Sequence, residues 1–229
     1  MNEIRLIPIE GIAEIDAGDD LGEIIADAVS GLVESGDVLV VTHKVVSKAE
    51  GRTVPIGDEA EYRALVVSEA QDIIRRRGDL VITRTRHGFI CANAGVDRSN
   101  TPEGTAVLLP VDPDRSAHRL RSLIEQKTGT SVAVVVSDTF GRPWRRGVVD
   151  VAIGVSGLPA IVDLRGTIDG SGRELEVTEI AVVDEIAAAA DLVMGKADRI
   201  PVAIVRGLAL SGEGRGADLV RPAEEDMFR

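Results

Sequence analysis

The segment SVAVVVSDTFGRPWRRG, residues 131–147, restricts the possible folds more than any other part of the chain. Its apolar run leads directly into Ser137-Asp138-Thr139. A short, β-branched, uncharged run of this kind reads as a buried strand, here Ser131–Val136, ending at those three polar residues. A carboxylate at the mouth of a buried strand is held rigidly, yet it can face a cleft. Asp138 offers a hard oxygen ligand for Mg²⁺ or Mn²⁺, and Thr139 can add a hydroxyl. Arg142, Arg145 and Arg146 follow at once and can present forked donors to phosphate or carboxylate groups. The competing reading is a solvent turn whose arginines pair with surplus acids. That surplus is real, because the formal net charge is −12. The same charge argues against a nucleic-acid surface, which needs clustered Lys and Arg.

Asn93–Asn100 is a second polar loop, in which Asn93, Asp97, Ser99 and Asn100 crowd around Gly95. Asn, Asp and Gly also suit plain turns, so turn chemistry stays open here. Two such loops after strands make a shared metal and oxyanion site more credible than either alone. Thr42-His43-Lys44 with Lys48 is a third candidate, since a lysine after a strand can neutralise nucleotide phosphates. Taken alone, it reads as ordinary surface decoration. The chain has no GxxxxGK[ST], HExxH or CxxC motif. His43, His87 and His118 show no ligand spacing. Gly212, Gly214 and Ala217 imitate GxGxxA only loosely and read as a loop, because no strand with a ribose-binding acid follows. Cys91, the single cysteine, reads as a small buried apolar residue and suits a reducing cytosol. MNEIRLIPIEG lacks an apolar signal region, and no run approaches the ~20 residues of a membrane span. A cytoplasmic location is therefore expected.

With 44% hydrophobic residues but only 2% aromatics, the core must rest on Val, Ile, Leu and Ala. A chain of 229 residues fits one large domain, 1–229, or two intimate subdomains. Pattern predicts a strand at Ile4–Ile9, placed at an edge or an end by Pro8, and a helix over LGEIIADAVSGL capped by Asp19-Asp20. Further strands are expected at Asp37–Val46, Leu80–Arg84, Phe89–Ala92, Val107–Val111 and Val202–Arg206. VVDVAIGVSGLPAIVDLRG reads as strands with Gly breaks. Helices are expected at Glu59–Arg77, Pro113–Thr128 and the DEIAAAADLVMG part of Glu174–Gly195. The Arg75-Arg76-Arg77 run would then be a solvated helix end. Strands and helices mix without regular βαβ alternation, so the class is mixed α/β (α+β).

Several long segments carry a family resemblance. IPIEGI, GDVLVVTHKVVSKAEGR, ICANAGVDRSN, VAVVVSDTFGRPWRRGVVDVAIGVSG, GRELEVTEIAVVDEIAAAADLVMG and PVAIVRGL together are similar to the coenzyme F420-0:L-glutamate ligases, the γ-glutamyl ligases of deazaflavin biosynthesis. The resemblance spans nearly the whole chain. It implies an F420-ligase-like fold of mixed sheets with flanking helices, distinct from P-loop proteins. It also implies a GTP-dependent amide ligase that joins L-glutamate to the coenzyme F420 precursor through an acyl phosphate, releasing GDP and phosphate. Mg²⁺ or Mn²⁺, room for K⁺, and a homodimer come with it. By position, Asp97 and Asp138 would hold one metal and Thr139 would contact a second. GTP contacts would come from Ile12, Ala13, Glu14 and Ile15, from His43, Lys44 and Lys48, from Asn100, and from Met194-Gly195. Arg142, Arg145 or Arg146 would grip glutamate or the precursor, beside Asp138.

Lys196 departs from the family pattern, which often carries Glu or Gln there. An ammonium repels a cation, so the second metal stands in doubt unless another acid replaces that ligand. Two rivals follow: a metal-dependent nucleotide phosphohydrolase and a non-catalytic nucleotide-binding domain. Two-domain relatives continue past a tail like RPAEEDMFR, so the chain is expected to be either a single-domain enzyme or an N-terminal domain.

Overall fold

The computed structural model describes residues 3–227; the first two residues of MNEIRLIPIEG and the last two of RPAEEDMFR lie outside that range. The first half contains β1 (Arg5–Ile9), α1 (Leu21–Val29), β2 (Val38–Thr42), α2 (His43–Ala49), β3 (Thr53–Pro55) and α3 (Glu59–Glu69). These are followed by β4 (Ala70–Arg77), β5 (Leu80–Thr85), β6 (Ile90–Ala92) and β7 (Thr105–Val107). The second half contains α4 (Pro113–Thr128), β8 (Ala133–Gly141), β9 (Val148–Ser156), β10 (Val162–Asp163), β11 (Glu179–Ile180), α5 (Val182–Met194) and β12 (Val202–Arg206).

A five-stranded sheet in the order β1-β12-β2-β8-β9 organises the chain. Only β2 and β8 run parallel; the other pairs are antiparallel. Alternation along β2 sends Leu39 and Val41 to one face and Val38 and Val40 to the other. Ile25 and Val29 of α1, with Leu120 and Ile124 of α4, cover the first face. Val183, Ile186, Ala187 and Ala190 of α5 cover the second. The aliphatic core expected from composition is therefore split by a sheet buried on both sides. Smaller sheets, β4-β5-β6, β3-β7 and β10-β11, flank it. The class is mixed α+β, as expected.

Asp37, at the start of β2, is 1% exposed and receives both Nε (2.8 Å) and Nη2 (2.7 Å) of Arg206. At the other margin, β9 is an edge strand, and acids cap two of its amides and that of Gly157 just past its end. Ala152 N–H donates to Asp184 Oδ1 (2.9 Å), Val155 N–H to Asp114 Oδ1 (2.8 Å) and Gly157 N–H to Glu213 Oε2 (3.2 Å).

Several boundaries differ from the sequence expectation. The strand expected to reach Val46 ends at Thr42, and HKVVSKA is helical. Val45, Val46 and Ala49 fall at helical spacing, but the β-branched Val45 and Val46 resemble a strand. The helix expected to Arg77 ends at Glu69. Arg75-Arg76-Arg77 therefore lies on β4, paired to β5, and terminates no helix. The strand expected at Val107–Val111 lies at Thr105–Val107, since Pro110 cannot donate to a ladder. Finally, β8 does not stop at Ser137 but continues through Asp138 and Thr139 to Gly141. Cross-strand partners on β9 satisfy its polar residues.

Candidate functional site

The parallel pairing of β2 and β8 ends where Thr42, the last residue of β2, pairs with Ser137. Beyond Thr42 the chain turns into α2, so His43 and Lys44 stand above this sheet end. Each touches one of the two singled-out aspartates. Nε2 of His43, whose ring is 1% exposed, lies 3.2 Å from Asp138 Oδ1. It is too poorly aligned to count as a hydrogen bond. The neighbouring Lys44 Nζ sits 2.8 Å from Asp97 Oδ2 and donates to Ser99 Oγ at 2.7 Å. Two consecutive residues thus bring together loops more than thirty residues apart in sequence.

The Asp97 loop is held by local strain and side-chain ties. Asn93, Ala94 and Gly95 all have left-handed φ, at 50°, 55° and 70°. For alanine this costs roughly 1–2 kcal/mol. A Cβ on Gly95 would come within 2.6 Å of Leu109, so glycine is required there. Asn93 Oδ1 accepts from Val81 N–H (3.1 Å), and Ala94 N–H donates to Thr83 Oγ1 (2.9 Å). Arg98 lies 3.9 Å over the Tyr62 ring. Asp97 accepts from Ser99 N–H (2.6 Å) and Ser99 Oγ (3.0 Å) besides Lys44. Burial raises its pKa, but the Lys44 ammonium and the Ser99 donors outweigh that and hold the carboxyl below its ordinary range.

Asp138 and Thr139 occupy opposite faces of β8. Asp138 Oδ1 accepts from Thr139 N–H at 2.7 Å. On the other face, the Thr139 hydroxyl donates to Asp150 Oδ1 (2.6 Å) and Ser137 Oγ donates to Asp150 Oδ2 (3.0 Å). Asp150 is 6% exposed, and the sequence reading did not single it out. Burial pushes its carboxyl above the usual range and the Asp191 and Asp138 charges add to that, while the two hydroxyls oppose it. A bulge decides this pairing. Val136 faces Gly154 but Ser137 faces Ala152, so Ile153 is the extra residue on β9. Without the shift Asp150 would oppose Phe140 rather than Thr139. Gly154 permits it, since a Cβ there would lie 2.3 Å from the Pro113 carbonyl oxygen. The signal for Asp150 was present: it is the one charged residue in VVDVAIGVS.

The other singled-out residues fall into three groups. Lys48 pairs with Glu14, joining α2 to the Ile12–Ile15 stretch. Within that stretch Ile15 is core, Ile12 packs against the core, and Ala13 is exposed. Asn100 Nδ2 donates to the Lys196 carbonyl at 3.1 Å, which brings the Asp97 loop to the end of α5. There Met194 is buried in the second core and Gly195 caps the helix. Lys196 is exposed. Arg142, Arg145 and Arg146 form the loop between β8 and β9, where Arg142 Nη2 donates to the Arg146 carbonyl at 2.6 Å. Arg145 and Arg146 are exposed. His118 lies on the surface of α4, while His87 is half-buried against the Pro110 and Val111 carbonyls. Burial, assisted by the Asp138 charge, raises the Cys91 thiol to about 12, in line with an inert apolar residue.

Asp97, Asp138 and Thr139 supply the hard oxygens that Mg²⁺ or Mn²⁺ prefers. Among the described residues, no three His, Cys, Asp or Glu side chains group as a metal cage. Such a cage is not needed, because Mg²⁺ is commonly held by one or two carboxylates plus substrate phosphates. A cavity of about 430 Å³ lies elsewhere, between α4 and the Glu213–Asp218 loop. Its charges are spent internally: Arg215 on Asp218, Glu213 on Arg121, and Asp114 on backbone amides. No helix among the described residues is long and apolar enough to cross a membrane.

Residues 11–207 match the family model described as F420-0:Gamma-glutamyl ligase. Three relatives are named coenzyme F420:L-glutamate ligase. The protein of Methanothermobacter thermautotrophicus is 42% identical, covering 99% of both chains. That of Methanopyrus kandleri is 41% identical, covering 99% of this chain and 98% of its own. That of Archaeoglobus fulgidus is 44% identical, covering 99% and 96%.

Proposed function

This chain belongs to the F420-0:gamma-glutamyl ligase family, and on that premise we propose that it is an enzyme joining the amine of L-glutamate to a carboxylate of the coenzyme F420 precursor, with GTP as the energy source. The observation that carries this is the convergence at α2, where His43 meets Asp138 and Lys44 meets Asp97. Consecutive residues gather acids and a base where the parallel pairing of β2 and β8 ends, the usual ligand position in such sheets.

A carboxylate is a poor electrophile, so amide formation requires its activation. In this proposal the γ-phosphoryl group of GTP passes to the precursor carboxylate, giving an acyl phosphate and GDP. The glutamate amine then attacks that carbon, and inorganic phosphate leaves. Asp138 and Asp97 would hold a divalent cation, and the Thr139 hydroxyl, on the opposite face of β8 beside Asp150, would contact a second. Such a cation would neutralise charge on the transferring phosphoryl group. Lys44 and Lys48 contribute positive charge toward nucleotide phosphates. Asn100 fixes the loop of Asp97 against the end of α5. Asp150 takes the Thr139 hydroxyl proton in a hydrogen bond, which leaves the oxygen lone pairs of Thr139 facing away from it. Arg145 and Arg146, exposed beside this strand end, are placed to meet an anionic substrate group.

The test incubates the protein with GTP, Mn²⁺, L-glutamate and the precursor, and reads product masses. The expected result is glutamate-sized mass increments that require GTP. Phosphate release at the same rate without glutamate would identify a phosphohydrolase instead. Size-exclusion chromatography with light scattering checks the homodimer that belongs to the same proposal.

A further inference from the structure

A second cavity, of about 220 Å³, opens along the edge of β9. Phe89, Phe140, Val151, Leu219 and Val220 give it apolar walls. The chain has only three phenylalanines, one tyrosine and one tryptophan. Two of the three phenylalanines meet here, with ring centroids 6.3 Å apart and planes at 64°. His87 stacks on the far side of the pair, 5.6 Å from Phe89. Two of the chain's five aromatic residues, with His87, thus share one place, while Tyr62 lies under Arg98 and Trp144 is exposed.

The cavity adjoins the candidate site. Val151 is directly opposite Asp138 in the ladder. Phe140 follows Asp138 by two residues on the same face, roughly 7 Å along the strand. Polar groups are few. Asp184 Oδ1 accepts the Ala152 amide, and its Oδ2 takes no hydrogen bond from a described residue. Arg221 stands at the mouth, exposed and without an ion pair among the described residues, with Asp226 also at the border. An apolar, aromatic-lined cavity with one or two placed polar groups is the usual make-up of a small-molecule site. Its volume is below the ~300–1,000 Å³ of a complete ligand site, so it houses one part of a ligand and the rest lies outside. The residues assigned above to GTP do not line it.

We propose that this cavity holds the planar heterocycle of the acceptor substrate, with Arg221 at its mouth meeting an anionic group on that substrate. Asp184 meets the polar edge of the heterocycle, and the reactive tail runs out toward Asp138. This rests on the ligase reading above, and it names the subsite that selects the acceptor.

Two variants test it: Phe140→Leu, which keeps apolar volume but removes the ring, and Arg221→Ala, which lies on the surface and carries no packing. Steady-state KM is measured for the deazaflavin precursor, GTP and glutamate. Binding of the precursor alone, without GTP or glutamate, is followed by equilibrium dialysis. The proposal expects about a tenfold rise in precursor KM and dissociation constant for each variant, with GTP and glutamate KM within twofold. Phe140→Tyr should restore most of the loss if the ring face is what matters. Unchanged precursor KM in both variants overturns the proposal while leaving the ligase reading intact. A rise confined to GTP KM overturns it by assigning the cavity to guanine. A wild-type protein that makes no ligated product defeats the ligase reading, and the dialysis arm still reports whether the cavity binds the ring.

Discussion

At the N-terminal end of β2, Asp37 is buried and held by Nε and Nη2 of Arg206. At its C-terminal end, Asp138 has a histidine nearby but no lysine or arginine ion pair among the described residues, and Asp150 has only hydroxyls. Both ends carry acids on a sheet whose interior is otherwise aliphatic. The first end is electrically closed and serves the fold. The second has one ion pair, Lys44–Asp97, and leaves Asp138 and Asp150 without a lysine or arginine partner among the described residues, and that suits the binding of cations and of the phosphates they accompany. The contrast separates structural from functional charge without reference to motif.

The largest expected effect breaks the closed end. Arg206→Ala leaves Asp37 buried without a cation, which costs about 3 kcal/mol. Thermal unfolding should fall by roughly 6–12 °C for a chain of this size, while ligation per folded molecule stays near wild type. Asp138→Asn should do the reverse. Its melting temperature should stay close to wild type, and ligation should drop by roughly 100-fold; full turnover in that variant would remove Asp138 from the site. Asp150→Asn sharpens the open end. A residue that orients Thr139 through its hydroxyl should cost roughly 10–100-fold in kcat or metal affinity, with GTP KM little changed. An unaltered Mn²⁺ titration together with unaltered kcat would make Asp150 a packing residue.

A smaller effect separates Asp97 from Asp150 by sign. The Asp97 carboxyl is held low, so its contribution is present above the ordinary value of ~3.9 and is lost as pH falls through its depressed folded pKa. The Asp150 carboxyl is held high, so its contribution is present below that ordinary value and is lost as pH rises through its raised folded pKa. In metal-free protein, Asp97→Asn should therefore lower the melting temperature at pH 7 by a few degrees relative to wild type, with the gap closing below pH ~4. Asp150→Asn should gain on wild type as pH climbs from ~4 to 7. Parallel curves for the two variants would show that the charges at this end are equivalent. The smallest effect is none: Cys91, its thiol raised to about 12, should resist alkylation at pH 8 in the folded protein and react on unfolding.

Sequence pattern located elements whose signals are local. Pro113–Thr128 has its cap at Asp112, proline in its first turn and a left-handed glycine at Gly129, all within the segment. Val202–Arg206 is a short apolar run that can only be interior. The pattern missed β4, because Ala70–Arg77 is a strand only through its pairing with β5, across two register shifts. No local residue announces that. The site divides the same way. Asp97 and Asp138 stood out because polar residues crowd around them. Asp150 lies alone among valines, and its role depends on a bulge formed with another strand.

The carboxylates along β9 have one more consequence. An uncovered strand edge invites another chain to add to the sheet, which is the first step of edge-to-edge aggregation. Here Asp184 and Asp114 already occupy two amides of β9, and Glu213 that of Gly157 just past its end. An incoming strand would have to displace each of them before gaining a bond. The same acids that fasten α5, α4 and the late loop to the sheet thus keep its longest exposed margin from recruiting neighbours when the protein is concentrated.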